Sequence, residues 1–102
     1  MSSETITIEK KKQTTRQIKE PGKFKVVVCN DDVTPVEFVV TMLVEVFGIN
    51  KDTAIELTLD VHNNGRAIAG VYPYEIAEQK GVDAMAMARS NSFPLQVRVE
   101  PE

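Results

Sequence analysis

The stretch VVVCNDDVTPVEFVV, residues 26–40, joins a run of valines to a second apolar run through one asparagine and two aspartates. Its first half ends a strand. In KFKVVVC, residues 23–29, Phe24, Val26 and Val28 fall on one face and Lys23 and Lys25 on the other, the period-two pattern of a half-buried strand. Its second half starts a helix, with Thr34 as cap, Pro35 at the first helical position and Glu37 completing a capping box. The helix is expected to run to about Phe47, where Gly48 ends it. Asn30, Asp31 and Asp32 therefore sit at the seam between two core elements, where three hydrogen-bonding side chains need a reason.

The rest of the chain is punctuated as clearly. A second helix is predicted from Asn50, as cap, to about Val61. HNNG, residues 62–65, then turns the chain into a strand, RAIAGVY. A third helix covers roughly Pro73 to Arg89, weakened by Gly81 in its interior, with alanines 77, 84, 86 and 88 permitting close packing. Residues 91–94 form a loop. LQVRV is the last strand, with Leu95, Val97 and Val99 inward and Gln96 and Arg98 outward. The order β-α-α-β-α-β predicts an α+β fold, a small sandwich of a three-stranded antiparallel sheet with three helices packed on one face. Parallel pairing of some strands stays open at this stage.

The 102 residues, 42% hydrophobic and 26% charged, fit one small globular domain. Residues 1–22 are polar, without periodicity, and close on Pro21-Gly22; they are expected to be a flexible N-terminal extension, with residues 23–102 forming the folded domain. The net charge of −3, with no dominant basic patch, disfavours nucleic acid as a ligand. One cysteine, Cys29, excludes an intrachain disulfide and fits a reducing compartment. No apolar run approaches the ~20 residues of a membrane helix, and the N-terminus does not read as a secretory signal. A cytoplasmic monomer is expected.

The first helix is more apolar than a core-facing helix needs to be. In VEFVVTMLVEVF only Glu37, Thr41 and Glu45 are polar, and they form one thin stripe. Its two apolar flanks cannot both face one sheet. Either the helix is fully buried, or Val36 and Val39, beside the NDD seam, wall a small cavity. His62, the only histidine, stands at the end of the second helix, a position that is usually structural, stabilised by the helix dipole, although histidine is over-used in function.

Most catalytic chemistry is poorly supplied. Metal binding is not expected, with one Cys, one His and no calcium-loop pattern. A Cys29–His62 pair would arise only by accident of folding, and Cys29 reads more simply as a small hydrophobe. There is no glycine-rich phosphate loop, and no cofactor is implied. What remains is acceptor chemistry: the Asn30 carbonyl, the carboxylates of Asp31 and Asp32, and one ring nitrogen of a neutral His62. An ammonium group has donors only, so acceptors beside an apolar hole suit a free peptide N-terminus bearing a hydrophobic residue.

NDD followed by TP-x-EFV, the L-x-x-x-VH-x-x-G turn, the AIAGV strand and the PL before the last strand together resemble the ClpS family over residues 23–99. The resemblance implies a non-enzymatic adaptor that hands proteins with an N-terminal Leu, Phe, Tyr or Trp (N-degrons) to the N-terminal domain of a ClpA- or ClpC-like AAA+ chaperone for degradation. It implies that Asn30 and His62 hold the substrate amine, that Asp31 and Thr34 contact the first peptide bond or an ordered water, and that Asp32 supports the rim. The pocket for the side chain would be walled by Val36, Val39, Thr58, Val61 and Leu95. Glu75, Glu78 and Lys80 would meet the chaperone, and residues 1–22 would engage it during delivery. Val36 and Thr58 stand where other members of the family carry methionine, and Val33 replaces an aromatic; a pocket more open to Ile or Val is the expectation. The same element order also suits a structural interaction domain like the C-terminal domain of the ribosomal stalk protein, in which NDD would be only a turn.

Overall fold

A computed structural model describes residues 22–102. The extension expected over residues 1–22 lies outside the described residues apart from Gly22. Strand β1, Lys23–Cys29, is the centre of a three-stranded sheet ordered β2-β1-β3, with β2 at Arg66–Pro73 and β3 at Gln96–Pro101. Both pairings are antiparallel, which resolves the open question of strand direction. The ladder between β1 and β2 slips between Val26 and Val27, where Val26 faces Gly70 and Val27 faces Ile68. Ala69 is the additional residue, a bulge that sharpens the local twist.

The three helices are α1, Val36–Phe47, α2, Lys51–Asn64, and α3, Tyr74–Ser90. Helix α3 lies across all three strands, α2 packs on β2 and on α1, and α1 leans on α2 and α3. The core they enclose contains Val26 and Val28 from β1, Met42 and Leu43 from α1, Ala54 and Val61 from α2, and Ala77, Ala84 and Ala88 from α3. Alanines on the buried face of α3 bring its backbone close to the sheet, which leaves room for the larger side chains of α1 beyond them. Val27 points to the opposite face of the sheet yet is fully buried. On that face Arg66 stands opposite Cys29 and Glu100 opposite Lys25, so the 2.7 Å Arg66–Glu100 ion pair spans the position of Val27.

Several element boundaries differ from the sequence reading: β3 begins one residue after Leu95 and runs on to Pro101, and α3 begins at Tyr74 with Pro73 as its cap. Pro35, not Thr34, is the N-cap of α1, and no side chain caps the helix. The capping box fails because the Thr34 hydroxyl is already committed, donating to Asp31 Oδ2 at 2.8 Å. Helix α2 continues through HNN to Asn64, and Gly65, at φ 91°, is the residue that ends it. His62 therefore lies within the last turn rather than after it. At the other end, the Asn50 side chain accepts from the Thr53 N–H at 3.0 Å, as a cap should. Gly48, at φ 68°, closes α1: its N–H donates to the Val44 carbonyl at 3.1 Å and the Ile49 N–H donates to the Leu43 carbonyl at 3.3 Å.

Candidate functional site

The NDD seam is built by Asp31. Its Oδ1 accepts the N–H groups of Val33 at 2.8 Å and of Thr34 at 2.7 Å, and its Oδ2 accepts the Thr34 hydroxyl. An aspartate that bonds the backbone two and three residues ahead folds the chain into a tight turn. Desolvation pushes the Asp31 carboxyl upward, but the bonds from Thr34 and Val33, aided by the charge of Arg89, outweigh it and hold the group below its ordinary range. The turn delivers Pro35 to the helix start, where its carbonyl accepts from Phe38 and Val39.

Asn30 is fixed by its backbone. Its N–H donates to the Gly65 carbonyl at 2.9 Å, which ties the end of β1 to the residue that terminates α2. This bond places the exposed Asn30 beside the last turn of α2, where His62 is also exposed. A cleft of about 400 Å³ opens between them, within the range of small-ligand sites, with Asn30, Asp31, Asp32, Thr34 and His62 on its polar side. Val36, Val39, Thr58 and Val61 form its apolar side. Nine of the ten residues assigned to this site from the sequence thus share one cleft. The tenth, Leu95, is 1% exposed and sits in the buried core cluster rather than on the cleft wall. Val33 and Pro35 line the cleft as well, and only their neighbours in the NDD turn could have pointed to them. A larger and more open hollow of about 530 Å³, between α2 and β2, is lined by Lys25, Asp60 and Arg66 among others; its shallowness and the Arg66–Glu100 pairing make it the weaker candidate.

Thr58 adds no donor to the wall. Buried in α2, it turns its hydroxyl back to the Ala54 carbonyl at 2.7 Å. The polar groups free to meet a ligand are therefore concentrated at the mouth, with an apolar wall behind them. Among the described residues no group of three or more His, Cys, Asp or Glu could hold a metal ion, and no helix is long and apolar enough to cross a membrane.

Glu75 and Glu78 are exposed on the first turns of α3, away from the cleft lining. The charge of Glu78, one turn on, raises the pKa of the exposed Tyr74 phenol. Lys80 is less free than its neighbours: its Nζ donates to the Val46 carbonyl at 2.8 Å and lies 5.9 Å from the centroid of the Tyr72 ring. It anchors the C-terminal turn of α1 to α3 from within the chain.

Residues 19–98 match the family model described as "ATP-dependent Clp protease adaptor protein ClpS". The chain belongs to the ClpS family. Among its relatives, the ClpS of Ruegeria pomeroyi is 46% identical over 90 residues, covering 88% of this chain and 80% of its own. The ClpS of Acetivibrio thermocellus is 41% identical over 102 residues, covering 100% of both chains. Among solved structures, Agrobacterium tumefaciens ClpS2 bound to L-phenylalaninamide superposes with a TM-score of 0.80 at 37% identity, covering 81% of this chain and 100% of that one. The ClpS fold of three helices on a three-stranded antiparallel sheet is thus the fold found here.

Proposed function

We propose that this ClpS-family adaptor binds the free N-terminal residue of hydrophobic N-degron proteins in the Asn30–His62 cleft and delivers them to a Clp AAA+ unfoldase. The observation that carries the proposal is the meeting of Asn30 and His62, distant in sequence, across one cleft with an apolar wall. The α-ammonium group donates to the Asn30 side-chain oxygen and to a neutral His62 nitrogen, and the Asp32 carboxylate supplies negative potential at the rim. The first side chain enters against Val36, Val39, Thr58 and Val61. L-Phenylalaninamide, the ligand of the Agrobacterium relative, carries a free amine next to a large apolar group and is the chemistry this arrangement fits.

Magnitudes explain why both halves of the site are required. Burying a Leu or Phe side chain contributes roughly 1.5–3 kcal/mol, and each charge-assisted hydrogen bond about 1.5–3 kcal/mol. A micromolar dissociation constant corresponds to about −8.2 kcal/mol, which neither term reaches alone once the cost of ordering the peptide is set against it. Glu75 and Glu78 on α3 are proposed as part of the chaperone-docking surface. Lys80 supports that surface, with its ammonium group held by Val46. The adaptor acts without catalysis, as a cytoplasmic monomer. Because Thr58 and the half-exposed Val36 do not close the wall, Ile and Val belong with Leu, Phe, Tyr and Trp as candidate first residues.

Titration of fluorescent peptides that share a sequence and begin with Phe, Leu, Ile or N-acetyl-Phe tests the reading. Micromolar binding of the free Phe and Leu peptides, with loss of binding on acetylation, is the expected result. Equal affinity for the free and acetylated peptides would remove the basis for amine recognition. Strong rejection of Ile alone would leave that basis intact and overturn the wider range.

A further inference from the structure

The apolar surplus of α1 is only partly used by the core. Val36, Val40 and Val44 recur every four residues along one face, and Val36 is 46% and Val44 37% exposed. On α2, Lys51, Ile55 and Leu59 form a matching stripe, with Ile55 40% and Leu59 49% exposed. Residues four apart on a helix lie one above the other. The two stripes therefore run side by side along the α1–α2 seam, and two hollows follow that seam. One, of about 350 Å³, is lined by Val36, Val40, Lys51 and Ile55 together with Glu37 and Thr41. The next, of about 190 Å³, is lined by Val40, Val44 and Lys51 together with Thr41 and Glu45. Val36 lines both the first hollow and the amine-binding cleft, and Val40 and Lys51 line both hollows. The cleft and the hollows thus adjoin in series through shared side chains, forming a surface track that starts at the NDD seam.

We propose that this track is the path of the substrate chain leaving the cleft, so that the residues just after the first one contribute to recognition through apolar contacts with Val40, Val44 and Ile55. This rests on the reading of the cleft as the seat of the substrate N-terminus. The occupant follows from continuity and length. A chain whose first residue fills the cleft emerges over Val36, which is the shared boundary. From Val36 to Val44 the helix advances about 12 Å at ~1.5 Å per residue, and an extended peptide covers that distance in about four residues at ~3.3 Å each. In an extended peptide alternate side chains point to the same side, so two of those four meet the stripes. The substrate class is thus narrowed to N-termini in which a large apolar residue is followed by further apolar residues at alternate positions.

The test compares phenylalaninamide with two pentapeptides that begin with free Phe, one continuing in Val and Leu and the other in Ser and Gly. Fluorescence competition is measured on the full chain and on its Val44→Ser and Ile55→Ser variants. These two positions are already partly exposed and lie outside the cleft, and circular dichroism checks their folding. The wild type is expected to bind the apolar pentapeptide about tenfold more tightly than the Ser/Gly one. Each variant is expected to lose most of that gain and to keep its affinity for phenylalaninamide. Equal wild-type affinities for the two pentapeptides overturn the inference, whether or not the variants fold, as does a gain that survives in both variants. If the N-acetylated apolar pentapeptide binds as well as the free one, the groove serves an independent partner and the inference also fails. Self-association of the wild type that Val44→Ser abolishes assigns the stripe to a second copy, with the same consequence. Failure of phenylalaninamide itself to bind is a separate result that removes the underlying reading.

Discussion

Asp31 shows how one side chain can organise a site that depends on its neighbours. All three of its hydrogen bonds stay within the turn that it begins, so its first contribution is to the shape of the cleft mouth. Replacing Asp31 by Ala removes an anionic acceptor from two backbone N–H groups and a hydroxyl, and is expected to lower stability by about 1–2 kcal/mol, discounted for the exposure of the turn. The sign of the pH effect follows from the depressed carboxyl. Because the folded value lies below the ordinary 3.8, the stabilisation is complete above that pH and is lost as acid protonates the folded state. Urea unfolding of wild type and Asp31→Ala from neutral pH downward should show a stability gap that narrows only below that value; a gap independent of pH would assign the loss to something other than the carboxylate. At this scale the sequence disclosed residue types but not their commitments. Asn30 could be picked out because it stands at the polar seam between two apolar runs, and His62 because it is the only histidine. That the Thr58 hydroxyl is spent on Ala54 and the Lys80 amine on Val46 depends on rotamers and on neighbours distant in sequence, which no local pattern records.

The helices and strands were legible in number, type and order because caps and breakers punctuate the apolar stretches between them. Their ends were legible only where a glycine or a cap acts alone. Gly48 and Asn50 did so, whereas the start of α1 was misread because Asp31 took the hydroxyl that the capping box needed, and the end of α2 because asparagines tolerate the last turn until Gly65 supplies a positive φ. Two interior glycines separate cost from function within an element. Gly81 sits in the middle of α3, and a Cβ there would meet Val99 Cγ2 at 3.4 Å and Val97 Cγ1 at 3.9 Å, which is ordinary contact. Its flexibility is a weakness of the helix, so Gly81→Ala is expected to raise stability by about 0.5–1 kcal/mol. Gly70 lies at the bulge between β1 and β2 with the Tyr72 ring folded over it, and a Cβ would come within 2.6 Å of Tyr72 Cζ. Gly70→Ala must displace a ring that is packed against the core and beside Lys80, and is expected to cost about 1–3 kcal/mol. Chemical denaturation of both variants checks the pair; a destabilised Gly81→Ala would mean that α3 already approaches the sheet too closely for one methyl.

At the scale of the whole molecule the cleft is a junction. Its walls come from the chain after β1, the start of α1 and the end of α2, and one backbone bond from Asn30 to Gly65 holds the first to the last. The architecture was legible in the sequence as a sheet with one helical face, since short strands are separated by helical stretches and each connection is short. The strand order and the division of labour among the helices were not, because they depend on which apolar surfaces fit one another: small alanines let α3 take the sheet, and the bulkier α1 is left on the outside with a stripe exposed. A ligand that bridges three elements opposes their separation, so its binding energy adds to global stability. At a free concentration of one hundred times its dissociation constant, phenylalaninamide should contribute about 2.7 kcal/mol. For a domain of this size each kcal/mol raises Tm by roughly 4–8 °C, so a shift of about 10–20 °C is expected at saturation. N-Acetylphenylalaninamide at the same concentration should leave Tm unchanged, since it presents the ring without the cation. Hydrogen exchange adds the location: amides of residues 30–34 and 61–65 should slow together on addition of the free amine, because they border the same junction. Slowing confined to one of these segments would mean that the ligand rests on a single element and does not draw the cleft together.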